Sequence, residues 1–173
     1  MPQLRIPFEV AINEPKLMAN TWKRLSVAQR VALKAMYGLN LDDNLSDARG
    51  WTEMDHWRAS QGGAEFDELG YIRKITKDIG YFPKPYREVW AVWGRRAGKT
   101  DSLASTIVAY EAALGGHEAH VRPGQQTMIF QIAQDLRLAR YSLHFIKATL
   151  EESPLLSREI KEVTADRIDL RNG

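Results

Sequence analysis

Lys99 and Thr100 stand side by side behind Gly98, and a second glycine, Gly94, opens the stretch Gly94-Arg-Arg-Ala-Gly-Lys-Thr100. Those residue types in that order suit the binding of a phosphate chain. Successive backbone amides turned inward make an anion nest, and a glycine at 98 lets the backbone approach a phosphate with no Cβ in the way. Lys99 would set its ammonium on the β- and γ-phosphates, and the Thr100 hydroxyl would ligate Mg2+. The usual pattern has four residues between its two glycines. Here there are three, and Trp93 stands where the first glycine would be. Arg95 and Arg96 inside the loop make sense beside an anion or in open water. The plainer alternative is an incidental glycine turn before an ordinary helix.

A phosphate cradle needs a strand before it and a helix after it. Val89, Trp90, Ala91, Val92 and Trp93 form a short β-prone apolar run ended by Gly94, the pattern of a strand covered on both faces. Beyond the loop, Leu103, Ile107, Val108, Ala112 and Leu114 recur at helical spacing until Gly115-Gly116. The N-terminus of that helix adds its dipole to the anion site. Upstream, Tyr81-Phe-Pro-Lys-Pro-Tyr86 is a proline-fixed hinge leading into the strand. Tyr81, Phe82 or Tyr86 would stack on a nucleotide base there, with Arg87 adding a contact, or else these rings pack the helical layer onto the sheet.

Composition narrows the classes. With 173 residues and 44% apolar content, the chain is long enough for a medium globular domain. It has no cysteine, which removes disulfide frameworks and thiolate metal sites and fits an intracellular compartment. No apolar run approaches the roughly 20 residues of a membrane span, and the Met1-Pro2-Gln3 start carries no signal-peptide core, so a soluble protein is expected. Lys and Arg number 24 against 22 Asp and Glu, a net charge of +2. Bulk charge therefore argues nothing for nucleic acid, and any such contact must be local.

Taken in order, residues 1–20 carry Pro2, Pro7 and Pro15 and read as an extended arm. Ser26 is an N-cap for a helix with Val27, Val31, Ala32, Leu33, Ala35 and Met36 on one face, stopped by Gly38 at C′. Residues 39–50 are turn-rich, Thr52 caps a short helix through Trp57, and Gln61-Gly62-Gly63 breaks it. Phe66, Leu69, Ile72, Ile75 and Ile79 suggest a further helix ending at Gly80.

Past the first post-loop helix, His117 and His120 flank Glu118 in a glycine-rich loop, with no other ligand cluster to make a metal site. Thr127 to Ile132 reads as a second apolar strand, which puts Gln134 either at a strand's carboxyl end, where open α/β sheets hold ligands, or at the cap of the next helix. That helix spans about Asp135 to Glu151, with Leu136, Ala139, Leu143, Ile146 and Leu150 as its buried stripe. Arg137, Arg140, His144 and Lys147 line a neighbouring face, set for a phosphate backbone, for a neighbouring subunit's nucleotide, or simply for water. Ile160 to Thr164 and Arg167 to Arg171 read as a hairpin turning at Ala165-Asp166. Hydrolysis would need an apolar strand ending in paired acids to hold Mg2+ and polarise water, and no such strand is present. Asp135, Asp166, Asp169 and Glu151-Glu152 do not fill that place.

Together, Val92-Trp-Gly-Arg-Arg-Ala-Gly-Lys-Thr100, Ile132-Ala-Gln134 and the closing Ile168-Asp-Leu-Arg-Asn-Gly173 resemble the ATPase domain of the large terminase subunit, the DNA-packaging motor of tailed bacteriophages. The resemblance covers residues 80–173 best, and Arg30 to Gly38 is similar to N-terminal regions of that family. It implies an α/β fold, a P-loop NTPase parallel sheet incomplete at its C-terminal end, after a helical N-terminal region of residues 1–80. It implies that Gly94, Ala97, Gly98, Lys99, Thr100 and Asp101, with Tyr86, contact ATP, that Thr100 holds Mg2+, and that Lys99 with Arg95 or Arg96 serves catalysis. The family's acidic strand, coupling motif and nuclease domain are not in this chain. Either the chain is an N-terminal piece of a longer protein, or it is a short form unable to hydrolyse ATP alone. The implied partners are double-stranded DNA, a portal protein, a small terminase subunit and further copies in a ring, in host cytoplasm docked on a prohead and not in a membrane. Two other readings stand beside it: a helicase- or recombinase-type P-loop ATPase, and a non-catalytic docking module.

Overall fold

The computed structural model describes residues 5–41, 68–77, 81–92, 99–122 and 124–172. The short helix at Thr52 to Trp57, the break at Gln61 to Gly63 and the stop at Gly80 lie outside the described residues. The chain divides into two compact units: Met1–Arg24 with Trp93–Gly173, and Leu25–Val92. The first 24 residues thus belong with the second half of the chain, whereas the sequence suggests a boundary near residue 80.

In the Leu25–Val92 unit, Ser26 starts a helix for a local reason. Its hydroxyl accepts from the Gln29 amide while the Gln29 side chain accepts from the Ser26 amide, a reciprocal capping box that opens the third helix of the chain, α3 (Val27–Met36). Val31 and Leu33 are buried on it, with Leu25 just before its start. The helix stops where Gly38 takes a left-handed backbone (φ +69°), and a side chain there would run into the Lys84–Pro85 peptide. A second helix, α4 (Glu68–Ile75), falls within the spacing predicted from Phe66 to Ile79, whose two end residues lie outside the described residues, and it buries Ile72. Glu68 is buried and held by both oxygens on the Lys34 ammonium at 2.9 and 3.0 Å. Ser26→Ala is expected to lower this unit's stability by about 1 kcal/mol, and Gly38→Ala by about 1–3 kcal/mol from its backbone conformation alone. Thermal unfolding of the two variants checks both, and an unshifted melting temperature for Gly38→Ala would contradict the close approach to Lys84.

In the other unit, the residues expected to form an extended arm are two short helices instead, α1 (Phe8–Asn13) and α2 (Ala19–Arg24). The prolines do not prevent this. Pro7 sits at the N-cap, where a missing amide costs no helical bond, and Pro15 falls between the helices. These helices bury Phe8, Ala11, Ile12 and Ala19, with Leu17 and Met18 buried between them. The Phe8 ring meets Tyr110 edge-on at 4.9 Å and Trp22 at 6.2 Å. Lys16 offers its carbonyl to the Leu155 amide (3.1 Å) and the Ser153 hydroxyl (2.9 Å). Thr21 and Arg24 both bond the Glu152 carboxylate.

The remaining elements are a π-helix (Lys99–Ala104), α5 (Ser105–Ala113), a 3-10 turn (His117–His120), α6 (Leu136–Glu152), α7 (Leu156–Glu159), β1 (Ile160–Val163) and β2 (Ile168–Leu170). Asp135 caps α6, accepting from the Leu138 amide at 2.8 Å. Its buried stripe is Ser142, Ile146, Thr149 and Leu150, while Leu136 and Leu138 near its start are exposed. The hairpin forms as the alternation of Ile168 and Leu170 predicts, antiparallel with Val163 opposite Ile168 and Ile160 opposite Leu170. Glu162 faces Asp169 across it, a like-charge pair that Arg167 offsets by bonding Asp169 at 2.8 Å.

The expected parallel strands are the main difference. Among the described residues the two-stranded hairpin is the sole sheet. Neither Val89–Val92 nor Thr127–Ile132 joins a ladder, and both expose their apolar side chains: Trp90 is 87% exposed, Phe130 77% and Ile132 94%. A β-prone run becomes a strand only when a neighbour takes its amides and carbonyls. The fold shown is therefore mixed helix with a small antiparallel sheet, compatible with the α/β class. No helix among the described residues is long and apolar enough to cross a membrane.

Candidate functional site

The candidate residues fall on both sides of the limit of description. Gly94, Arg95, Arg96, Ala97 and Gly98 lie outside the described residues, and of Lys99 only the backbone is described. What is described is the helical start that follows them. Lys99 opens the π-helix, Thr100 is half-buried, and the exposed Asp101 carboxylate accepts from the Ser102 hydroxyl at 3.2 Å. Ser105 and Thr106 are buried just below, their hydroxyls turned back to the carbonyls of Asp101 (2.7 Å) and Ser102 (2.6 Å). Serine and threonine side chains offer this alternative to regular helical bonding. The sequence reading missed the irregular turn, because hydroxyls bonded to the carbonyl four residues back occur in regular helices too, as Thr149 does to Phe145.

The helix behind the candidate loop is fixed from three sides. Tyr110 is fully buried and donates to the Ile6 carbonyl at 2.7 Å, with Phe8 against its ring. Burial pushes its phenol pKa up, opposed by a hydrogen bond from Arg5. The Leu114 carbonyl accepts from the Ile6 amide at 3.1 Å, and the Ala112 carbonyl from the Asn172 side chain at 2.8 Å. The helix ends as expected before Gly115-Gly116, with Gly116 left-handed at φ +69°.

Tyr86, the candidate for base stacking, belongs to the Leu25–Val92 unit. It is exposed, its amide donates to the Met36 carbonyl at 3.2 Å, and its hydroxyl donates to the Phe82 carbonyl at 3.4 Å. Tyr81 packs instead: half-buried, it donates to the Leu39 carbonyl at 2.5 Å, and burial raises its pKa. Phe82 is exposed. Gln134 is exposed and Asp135 caps α6, so the capping role beside Gln134 falls to its neighbour.

The acids considered for a metal-holding role are engaged elsewhere. Besides Asp135 at its cap, Asp166 bonds Arg140 through both oxygens (2.6 and 3.3 Å), Asp169 bonds Arg167, Glu151 pairs with Lys147 at 3.4 Å, and Glu152 bonds Arg24 and Thr21. The same contacts thin the basic face of α6. Arg140 and Lys147 carry carboxylate partners, leaving Arg137 and His144 exposed on that face. His117 pairs with Glu111 at 2.6 Å across the end of α5.

The Arg140 hydrogen bond holds the Asp166 carboxyl below its ordinary pKa. A depressed carboxyl contributes stability above its unfolded pKa and loses it as pH falls through the folded one. Asp166 is therefore expected to titrate below the ordinary aspartate midpoint by NMR, and Arg140→Ala should return it to that midpoint. A midpoint unmoved by that substitution would contradict the pairing.

No protein family, curated protein or solved structure matches this chain.

Proposed function

We propose that this chain is the ATP-binding part of a motor that couples ATP hydrolysis to translocation of double-stranded DNA into a viral prohead, of the large terminase kind. The observation that carries the reading is the position of Lys99 and Thr100: they form the first turn of a helix whose far end is fastened into a core by Tyr110, Phe8 and Asn172. A phosphate loop needs that rigid backing, because a charge that shifts with its ligand gives up binding energy. The donor set also suits Mg-ATP. Lys99 supplies a point charge for the phosphates, Thr100 a hydroxyl for the ion, and Arg95 or Arg96 a further positive charge for the γ-phosphate. With no apolar strand ending in paired acids in the sequence, and with Asp135, Asp166, Asp169, Glu151 and Glu152 engaged in a cap and ion pairs, the chain by itself binds ATP without turning it over in this reading. The partners that follow are duplex DNA, a portal protein, a small terminase subunit and further copies in a ring, with the assembly acting on a prohead in host cytoplasm.

Titration of the 173-residue chain with a fluorescent ATP analogue and Mg2+, read by anisotropy, tests the proposal. Saturable binding displaced by unlabelled ATP is expected. Absence of binding at millimolar analogue would overturn it.

A second reading, a non-catalytic docking module, is favoured by one observation: Trp90, Phe130 and Ile132 are exposed on segments that join no sheet among the described residues. Saturable binding of the analogue, displaced by unlabelled ATP and lost in Lys99→Ala, would remove that reading.

A further inference from the structure

Arg137, Arg140, Tyr141, His144 and Lys147 recur along α6 at spacings of three and four residues, which set side chains in one row. The row lies opposite the buried stripe of Ser142, Ile146, Thr149 and Leu150. From Leu136 to Leu150 the helix holds no acidic residue, so its outer face is cationic over most of its length. At 1.5 Å per residue, positions 137 to 147 run about 15 Å along the axis. One strand of a nucleic-acid duplex carries a phosphate about every 3.4 Å of axis, so the row spans about four of them. The Tyr141 ring, exposed and met edge-on by Phe145 at 4.8 Å, adds a hydroxyl donor between the cations.

Two carboxylates answer that charge in the free chain. Asp166, at the hairpin turn, accepts from Arg140 Nε at 2.6 Å and from its Nη2 at 3.3 Å. Glu151 meets Lys147 at 3.4 Å one turn along the same helix. A guanidinium fork grips a phosphate through the same two parallel bonds that it gives Asp166. Arg140 and Asp166 are 50% and 56% exposed, so water screens their contact and an incoming anion displaces it at little cost. Arg137 and His144 are exposed on the same row.

We infer that the outer face of α6 is where this chain meets the phosphate backbone of duplex DNA, and that Asp166 is a built-in phosphate mimic that holds Arg140 until the duplex replaces it. The charge argument belongs to α6 alone, and the choice of duplex DNA as the polyanion rests on the motor reading. Arg137, Arg140 and Lys147 each neutralise one phosphate. Contacts to phosphate position a protein without reading bases, so binding by this face is independent of sequence. A motor that advances along DNA needs that property, because each step presents a new sequence on an unchanged backbone.

Anisotropy of a labelled duplex of about 20 base pairs, titrated with the 173-residue chain between about 50 and 200 mM salt, tests the inference. Three phosphate contacts predict a slope of log K against log salt of about −2.7, and Arg137→Gln should reduce its magnitude by about 0.9. The triple substitution Arg137→Gln, Arg140→Gln and Lys147→Gln should abolish measurable binding, with circular dichroism to show equal folding. Asp166→Asn should tighten binding by about threefold to fivefold with the slope unchanged. Lys84→Gln, which removes an exposed cation of the Leu25–Val92 unit, should change neither. Absence of duplex binding by the wild-type chain at low salt, or a slope that survives the triple substitution, overturns the contact. Affinity unmoved by Asp166→Asn overturns the role of Asp166, and displacement of the labelled duplex by polyglutamate as effective as by unlabelled duplex overturns the choice of DNA. Binding of the ATP analogue without binding of the duplex overturns this inference and leaves the nucleotide reading standing. Binding of the duplex without the analogue supports the α6 face and overturns the nucleotide reading.

Discussion

Lys99→Ala is expected to weaken binding of an ATP analogue by about 100-fold or more, equivalent to about 2.7 kcal/mol. The size follows from the chemistry. In the proposed site, one ammonium meets two phosphate groups through charge-assisted hydrogen bonds, each worth about 1.5–3 kcal/mol. Alanine is a good helix former, so the substitution removes the charge without penalising the turn that Lys99 opens. Lys99→Arg separates charge from shape: it keeps the charge but replaces a compact point with a planar fork, and is expected to recover only part of the affinity. Anisotropy titrations of the three proteins, with circular dichroism to show equal folding, make the comparison. Unchanged affinity in Lys99→Ala would reject the phosphate-loop assignment and with it the motor.

The second large effect concerns the unit that backs this site. Tyr110→Ala is expected to destabilise the unit of Met1–Arg24 and Trp93–Gly173 by about 3–5 kcal/mol, as for other large aromatic truncations in cores. Tyr110 is fully buried, stacks edge-on against Phe8 at 4.9 Å and bonds the Ile6 carbonyl. Truncation removes the ring, the stacking and the hydrogen bond together. Tyr110→Phe removes the last alone and should cost about 1 kcal/mol. Urea unfolding of the three proteins gives both numbers. If Tyr110→Ala and Tyr110→Phe unfold alike, the ring is not the centre of that core.

Much of the local structure was legible because its causes are local. Ser26, Gly38 and the alternation of Ile168 and Leu170 specify a cap, a stop and a hairpin within a few residues of themselves, and each is found. Structure that depends on distant partners was less legible. The prolines at 7 and 15 suggested an arm, but the helix between them forms where Phe8 and Ile6 meet Tyr110 about a hundred residues away. The apolar runs at Val89–Val92 and Thr127–Ile132 have strand composition, yet strand pairing is a property of two segments, and neither has its neighbour among the described residues. In the candidate site, Lys99 and Thr100 were legible from type and spacing. The π turn was not, since a helix written with serines and threonines gives the same pattern whichever acceptor each amide selects.

The grouping of residues 1–24 with 93–173 has a consequence for biosynthesis. Phe8 and Ile6 leave the ribosome well before Tyr110 exists, and at about 5–20 residues per second their apolar faces wait several seconds or more for a partner. The intervening stretch can meanwhile fold by itself, its Lys34–Glu68 bond spanning only 34 residues. Limited proteolysis of arrested nascent chains should therefore find residues 6–24 cleavable until Tyr110 has emerged, and protected afterwards.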